Sequence, residues 1–179
     1  HRRSVLSHEF MSNKNSIEKT NAMRALDRSG VHYESYCYLK DGKSMTSEEA
    51  PSGTEVAAFL GLDERKVFKT LVTEGKTLGH YVFVIPVARE LDLKKAAAAV
   101  GEKSVEMLKS KNLLPLTGYV HGGCSPVGMK KQFPTVIDTS AKECDTIIFS
   151  AGKIGYQVEI HPDDLSKVIP FKYADLTRD

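Results

Sequence analysis

The stretch VFKTLVTEGKTLGHYVFVIP, residues 67–86, contains two apolar runs separated by a short polar turn with two glycines. β-Branched and aromatic residues dominate both runs, as is typical of strands. The turn is short enough to join two antiparallel neighbours directly. The stretch therefore predicts a β-hairpin with strands at residues 67–73 and 80–86.

Helices and strands interleave irregularly on both sides of this hairpin. Helices are predicted from a capping box at residues 15–18 to Gly30, at 54–60, 93–100 and 105–111, and from Pro162 to about 169. Strands are predicted at residues 31–38, 135–138, 146–150 and 157–160, with a loop or bent strand at 116–128. The pattern predicts an α+β fold, a single compact domain with a mixed, mostly antiparallel sheet and flanking helices. We expect that domain at residues 15–179 and interpret residues 1–14 as a tag remnant or a disordered N-terminus.

Composition favours an ordinary globular protein: 41% of the 179 residues are hydrophobic and 27% are charged. No apolar run approaches the length of a membrane span, and no secretory signal is visible, so we expect a cytoplasmic protein without a membrane partner. The three cysteines, Cys37, Cys124 and Cys144, are too few and too widely spaced for a disulfide framework or a zinc site. We expect no metal and no cofactor.

The net charge of +2 says little about nucleic acid. The distribution of lysines is more informative, because they cluster at positions 94, 95, 103, 109 and 111 and again at 130 and 131. Such a cluster forms either a phosphate-contacting face or simply a solvated lysine face. The sequence leaves both interpretations open.

Lys69 interrupts an otherwise apolar strand. Alternation places it on the same face as Val67 and Leu71. A lysine there either reaches to a rim or points into a pocket, where desolvation would lower its pKa and its ammonium could donate to a substrate oxygen. The alternative is an edge strand with an exposed lysine.

A glycine-rich segment, TGYVHGGCSPVG, occupies residues 117–128. Backbone N–H groups that converge at successive glycines can hold a carbonyl oxygen as it gains charge, or a phosphate, although the segment could equally be a sharp structural turn. Cys124 and Ser125 are conceivable nucleophiles, but a nucleophile needs a base within reach, and His121 is not expected to face either residue. We therefore expect no covalent nucleophile.

Five segments together resemble the YbaK/EbsC family of aminoacyl-tRNA editing domains. They are VFKTL at 67–71, PVARELDLKK at 86–95, the segment at 117–128, PTVID at 134–138 and SAGKIG at 150–155. The resemblance extends from about residue 19 to residue 179 and is closest to bacterial cysteinyl-tRNA(Pro) deacylases. It implies a YbaK-like fold with no metal or cofactor, and cleavage of the ester between a misattached amino acid and the tRNA 3′ end.

The resemblance also assigns residue roles. Lys69 matches the essential lysine, and Gly122 matches a glycine whose backbone lies against the reacting ester, so these two are the catalytic candidates. Tyr38, Thr70, Gly123, Ser125 and Gln157 are the implied substrate-binding residues. Gln157 departs from the aspartate that some cysteine-specific relatives carry at this position.

The implied mechanism is substrate-assisted: the cysteine thiol of the substrate attacks its own ester, so such enzymes can be classed as hydrolases or as lyases. The implied partners are the tRNA 3′ end and, in a transient complex, prolyl-tRNA synthetase, with no role for DNA. The expected substrate is Cys-tRNA(Pro), with Cys-tRNA(Cys) as a further candidate. Two alternatives stay open: removal of alanine or serine from tRNA(Pro) by water, and a non-catalytic tRNA-binding accessory protein.

Overall fold

The computed structural model describes residues 19–39 and 43–179, and within these ranges it contains eight strands and five α-helices. The helices are α1 (Asn21–Arg28), α2 (Gly53–Leu60), α3 (Leu93–Val100), α4 (Ser110–Thr117) and α5 (Pro162–Leu165). The strands are β1 (Glu34–Cys37), β2 (Phe68–Gly75), β3 (His80–Pro86), β4 (Val105–Met107), β5 (Thr135–Asp138), β6 (Ile147–Ser150), β7 (Tyr156–Ile160) and β8 (Lys172–Ala174). No helix in the described part of the chain is long and apolar enough to cross a membrane.

The strands form two sheets. A five-stranded sheet has the order β4-β2-β3-β5-β8, and a three-stranded sheet has the order β1-β7-β6. Only β3–β5 and β5–β8 are parallel pairs; all the other ladders are antiparallel. The predicted hairpin, β2–β3, lies at the centre of the larger sheet, and the α+β class with mostly antiparallel pairing is confirmed.

A single bridge between Val67 and Ile148 connects the two sheets. Beyond it β2 and β6 separate, and the next partner of β2 on that side is β4, which pairs only from Thr73 onward. Between these points the edge of β2 has no strand partner among the described residues. This open edge is the structural feature on which the site depends.

The starts of α2 and α4 differ in their capping. Ser52 and Glu55 form a reciprocal capping box at the start of α2, which satisfies two backbone N–H groups. The residue preceding α4 is Lys109, which offers no side-chain cap. α4 also contains Pro115, which is unusual because proline removes a helical hydrogen bond.

Three predictions of secondary structure were wrong. The helix expected at residues 105–111 is strand β4 followed by α4, because Val105 to Met107 find a partner edge in β2 that local sequence does not reveal. The last helix ends at Leu165 rather than near residue 169. Strand β8 was missed because it is short and pairs with β5, distant in sequence. The capping box at residues 15–18 and the segment 1–14 lie outside the described residues, and α1 begins instead at the cap Thr20.

Candidate functional site

A cavity of about 540 Å³ follows the open edge of β2. Its inner end lies against the three-stranded sheet, where Tyr38, Ser150 and Gln157 line it, and the start of α2 covers it. Its outer end lies against β4 and α4, where Met107, Leu108, Ser110 and Leu113 line it. Lys69 and Thr70 on β2 lie between the two ends.

Lys69 lines this cavity and is only partly exposed. Burial lowers the pKa of its ammonium group, and the nearby charge of Glu90 offsets part of that effect. Among the described residues it forms neither a hydrogen bond nor a salt bridge. Of the positions that the sequence left open, the structure thus places Lys69 in a pocket, where its ammonium group is available to a bound oxygen atom.

The polar residues of the inner end are aligned by strand register. The parallel bridge aligns Val67 with Ile148, so Lys69 lies level with Ser150, and Ser150 is directly paired with Gln157. Gln157 is 6% exposed, lines the cavity and makes no side-chain hydrogen bond within the described chain. The hydroxyl of Thr70 is also buried and without a hydrogen-bond partner there. A buried polar group without a partner is costly, so the Thr70 hydroxyl is fitted to a bound ligand, and the amide of Gln157 is available to one at the cavity surface.

Gly122 lies at the cavity wall in a left-handed conformation with φ +89°. A Cβ atom at this position would lie 2.9 Å from the Cβ of Ala50 and 3.5 Å from Cγ1 of Ile154. Both the backbone conformation and the close neighbour therefore require glycine here. The absence of a side chain leaves the backbone of residue 122 at the cavity surface.

Three other residues of the glycine-rich segment, Gly123, Cys124 and Ser125, are buried, and of these three Cys124 still lines the cavity. Gly123 and Ser125 do not line the cavity: the N–H of Gly123 donates to the carbonyl of Val120 at 3.0 Å, and the Ser125 hydroxyl accepts from the N–H of Val127 at 3.3 Å. Burial raises the pKa of the Cys124 thiol to about 12, so it is protonated at neutral pH. The structure thus separates Gly123 and Ser125 from Tyr38, Lys69, Thr70, Gly122 and Gln157, which share the cavity.

Sequence reasoning missed the contribution of α2. Pro51, Ser52, Gly53 and Thr54 line the inner end with the N-terminal turn of this helix. The first backbone N–H groups of a helix carry a partial positive charge. The capping-box pattern Ser52–Glu55 was a signal that could have located this helix start.

The predicted lysine cluster divides into separate groups. Lys95 forms a salt bridge with Asp175 at 3.0 Å and so ties α3 to the C-terminal segment. Lys109 and Lys111 flank Ser110 at the outer end of the cavity, are exposed and form no ion pair among the described residues. Only this second group lies beside the site.

The arrangement can bind and orient an ester. An ammonium group and a side-chain-free backbone face a common space, which suits a carbonyl oxygen that gains negative charge. The described residues include no group of three or more His, Cys, Asp or Glu placed to hold a metal ion.

Comparison with known proteins agrees with this geometry. Residues 47–168 match the family described as the aminoacyl-tRNA editing domain. A protein of Enterococcus faecalis named as a candidate Cys-tRNA(Pro)/Cys-tRNA(Cys) deacylase, EbsC, is 45% identical over 93% of this chain and 98% of its own length. A proline–tRNA ligase of Thermosipho melanesiensis is 29% identical over 57% of this chain, but only 18% of the ligase is covered.

Solved structures show the same fold. A crystal structure described as a candidate trans-editing enzyme for prolyl-tRNA synthetase has a TM-score of 0.74 at 24% identity, covering 91% of this chain and all of that one. A hypothetical protein aligns with a TM-score of 0.77 at 23% identity, over 89% of this chain and all of its own. The match of the family across most of the chain and the 45% identical relative together establish that the protein belongs to the aminoacyl-tRNA editing domain family.

Proposed function

We propose that the protein is a trans-acting deacylase that removes misattached cysteine from tRNA(Pro), and also cleaves Cys-tRNA(Cys). The bond that breaks is the ester between the amino acid and the ribose at the tRNA 3′ end. The observation that carries the proposal is the shared cavity of Lys69 and Gly122, whose ammonium and bare backbone face the same space. The name of the relative that is 45% identical supports the choice of substrate.

The catalytic roles follow from what the cavity offers. The ammonium group of Lys69 stabilises negative charge that develops on the ester during the reaction, and the backbone at Gly122 holds the carbonyl side of the ester in place. Gln157 and the Thr70 hydroxyl satisfy polar atoms of the aminoacyl group, and Tyr38 packs against it. Gly123 and Ser125 shape the wall from behind and do not contact the substrate.

The nucleophile is the thiol of the substrate. Its sulfur attacks the ester carbonyl carbon, the bond from that carbon to the ribose oxygen breaks, and the proton lost by sulfur ends on the released ribose oxygen. The products are free tRNA and a cysteine thiolactone, which water then opens to cysteine. This route agrees with the high pKa of Cys124, which leaves the protein without an ionised thiol at that place.

We further propose that the protein acts on tRNA released from, or held by, prolyl-tRNA synthetase. A synthetase for proline cannot exclude cysteine by size alone, so a second site has to remove the error. The similarity of this chain to a segment of several proline–tRNA ligases supports a common substrate.

The test is a deacylation assay with four charged forms of tRNA(Pro): cysteinyl, S-methylcysteinyl, alanyl and seryl. The cysteinyl ester should be cleaved and the S-methylcysteinyl ester spared, because methylation removes the attacking thiol but keeps the ester. Cysteine thiolactone, trapped with hydroxylamine as the hydroxamate, should appear together with free tRNA.

Three results would contradict the proposal. Equal cleavage of the alanyl or seryl ester would indicate attack by water and a different specificity. Cleavage of the S-methylcysteinyl ester would refute the role of the thiol. Binding of all four tRNAs without any turnover would indicate an accessory tRNA-binding protein.

A further inference from the structure

The two ends of the cavity differ in depth. The inner end is closed by buried residues, among them Tyr38 and Gln157, each 6% exposed. The outer end opens at the surface, where Met107 is 46% exposed and Leu113 is partly exposed. A substrate with one small end and one long end fits this difference best with its small end among the buried residues and its long end at the opening.

The two ends also differ in charge. Three glutamates, Glu48, Glu49 and Glu55, form an acidic rim on the turn before α2 and in its first turn, next in sequence to residues 51–54, which line the inner end. Hydrogen bonds from Thr46 lower the pKa of Glu49, and those from Ser52 lower the pKa of Glu55, so both are ionised at neutral pH. The outer end has the unpaired Lys109 and Lys111, and Lys130 lies along the other side of α4, 3.5 Å from the carbonyl of Pro115.

The outer end is moreover apolar between its lysines. Met107, Leu108 and Leu113 form a shelf on the face of β4 and α4 that lines the cavity. The neighbouring carboxylate, Glu106, is not among the residues that line the cavity. An exposed apolar surface bordered by unpaired cations is complementary to a flat base attached to a phosphate chain.

From these observations we infer that the shelf of Met107, Leu108 and Leu113 seats the base of the terminal tRNA nucleoside, and that the RNA chain leaves the cavity past Lys109 and Lys111. This inference rests on the proposed function and adds the direction in which the substrate lies. The aminoacyl group occupies the inner end, where its α-ammonium meets the acidic rim and the amide of Gln157. The ester then lies between the two ends, beside Lys69.

A photocrosslink tests this direction without altering the protein. Cys-tRNA(Pro) whose terminal adenosine is replaced by 8-azidoadenosine is bound, irradiated and digested with trypsin, after its turnover has been verified. The adduct should lie in residues 104–109 or, within the peptide 112–130, at Leu113 or its immediate neighbours and not at residues 121–124, as fragment-ion mass spectrometry would locate it. An adduct in residues 44–65, which contain the start of α2, or in any other peptide would overturn the inference while leaving the deacylase proposal intact.

A charge-reversal pair tests the path of the RNA. Lys109→Glu/Lys111→Glu should lower kcat/KM for Cys-tRNA(Pro) about tenfold or more and reduce the salt dependence of log KM by about 0.7 per lysine. The matched control is Lys94→Glu/Lys172→Glu, which changes charge equally at two exposed lysines outside the cavity lining. Cysteinyl adenosine, which has no phosphate, should be cleaved at the same rate by both double variants and the unaltered protein.

The two proposals can fail separately. If the control pair lowers tRNA turnover as much as Lys109→Glu/Lys111→Glu does, or if cysteinyl adenosine is affected as strongly as tRNA, the assigned RNA path is wrong. If the unaltered protein cleaves neither substrate, the deacylase proposal itself is wrong.

Discussion

The inner and outer ends of the cavity have been built by different means. At the inner end, strand register aligns Lys69, Ser150 and Gln157, and a capped helix covers them. At the outer end a three-residue edge strand and a helix without a side-chain cap present apolar and cationic side chains to solvent. If the proposed function is correct, the more buried end holds the aminoacyl group and the more open end accommodates the long polymer.

The helices that begin at the two ends of the cavity, α2 and α4, differ in how their first turns are capped. Ser52 and Glu55 satisfy the first N–H groups of α2, so that rim is stabilised by its own side chains. Lys109 occupies the corresponding place before α4 and contributes charge instead of a cap. A capping side chain at position 109 would stabilise α4, whereas the proposed function uses the positive charge of Lys109. Stability is commonly lower where a residue serves function.

The largest effect is expected at the junction of the two ends. Lys69→Met should lower kcat/KM for both Cys-tRNA(Pro) and cysteinyl adenosine by about 10² or more, as loss of a group that stabilises an oxyanion typically does. The melting temperature should not fall, because the substitution removes a partly desolvated charge that has no partner among the described residues. Activity above a tenth of the original in a folded variant would remove Lys69 from the mechanism.

The next effect concerns the inner wall. Gly122→Ala should reduce turnover and also destabilise the protein by at least about 1 kcal/mol, since φ is +89° and the new Cβ would lie 2.9 Å from Ala50. Gly128→Ala is not a neutral control, because its Cβ would lie 2.6 Å from the Tyr119 hydroxyl oxygen.

The effect of Gly122→Ala has a backbone cause, the positive φ, and a steric cause, the contact with Ala50. Removing the contact with Ala50 separates the two. Ala50→Gly/Gly122→Ala should recover part of the stability, measured by urea unfolding, but not the backbone strain. Full recovery of turnover in this double variant would show that the effect was steric crowding, and that the backbone at residue 122 has no role in holding the ester.

A pH profile should report the desolvation of Lys69. Its ammonium form is present below its pKa, so kcat/KM should fall about tenfold per pH unit above that pKa, which burial has lowered from its ordinary value. Lys69→Arg should be slower at neutral pH but should lack this alkaline decline, because a guanidinium stays protonated. An identical decline in the arginine variant would assign the titration to another group.

The same shift has a consequence for stability. The unfolded chain binds the Lys69 proton more tightly than the folded chain between the lowered and the ordinary pKa, so stability should rise with pH across that window. The contribution of Lys69 is measured as the difference in unfolding free energy between the unaltered protein and Lys69→Met at each pH.

The helix caps provide a smaller and opposite pair of effects. Ser52→Ala should cost about 1 kcal/mol of unfolding free energy by removing a cap, whereas Lys109→Asp should add about 0.5–1 kcal/mol by creating one. Lys109→Asp should nevertheless raise KM for Cys-tRNA(Pro), because it places a carboxylate in the path of the RNA. A stabilised variant with unchanged KM would contradict the role assigned to the outer end.

The smallest effect is expected at the acidic rim. Glu48→Lys should lower kcat/KM about two- to threefold at low salt and by less at high salt, because exposed charges act weakly and are screened. The factor should be the same for tRNA and for cysteinyl adenosine, since both carry the α-ammonium group. A loss confined to tRNA would mean that RNA, rather than the amino acid, passes the inner end.

Local sequence predicted the elements whose signals are local. The hairpin of β2 and β3, the helix α3 with its Asp92 cap and the strand β5 were all expected from runs of apolar residues and their bounding turns. One cation in an apolar strand marked Lys69 as a candidate, but it left open whether the side chain lies in a pocket, at a rim or on an exposed edge. The conformations of residues 105–117 and 172–174 could not be predicted in this way, because β4 and β8 become strands only through partners far along the chain.

The sequence by itself therefore determined the class of fold and the central hairpin, and strand alternation marked Lys69 as a candidate. Gly122 became a candidate through the resemblance of the glycine-rich segment to a known family. Only the tertiary structure decided that β2 and β6 separate after Val67, and that the resulting gap becomes the cavity. It also decided that Gln157 lines this cavity while Ser125 is buried behind it. Such outcomes depend on long-range packing, where a side chain's surroundings come from segments far away along the chain.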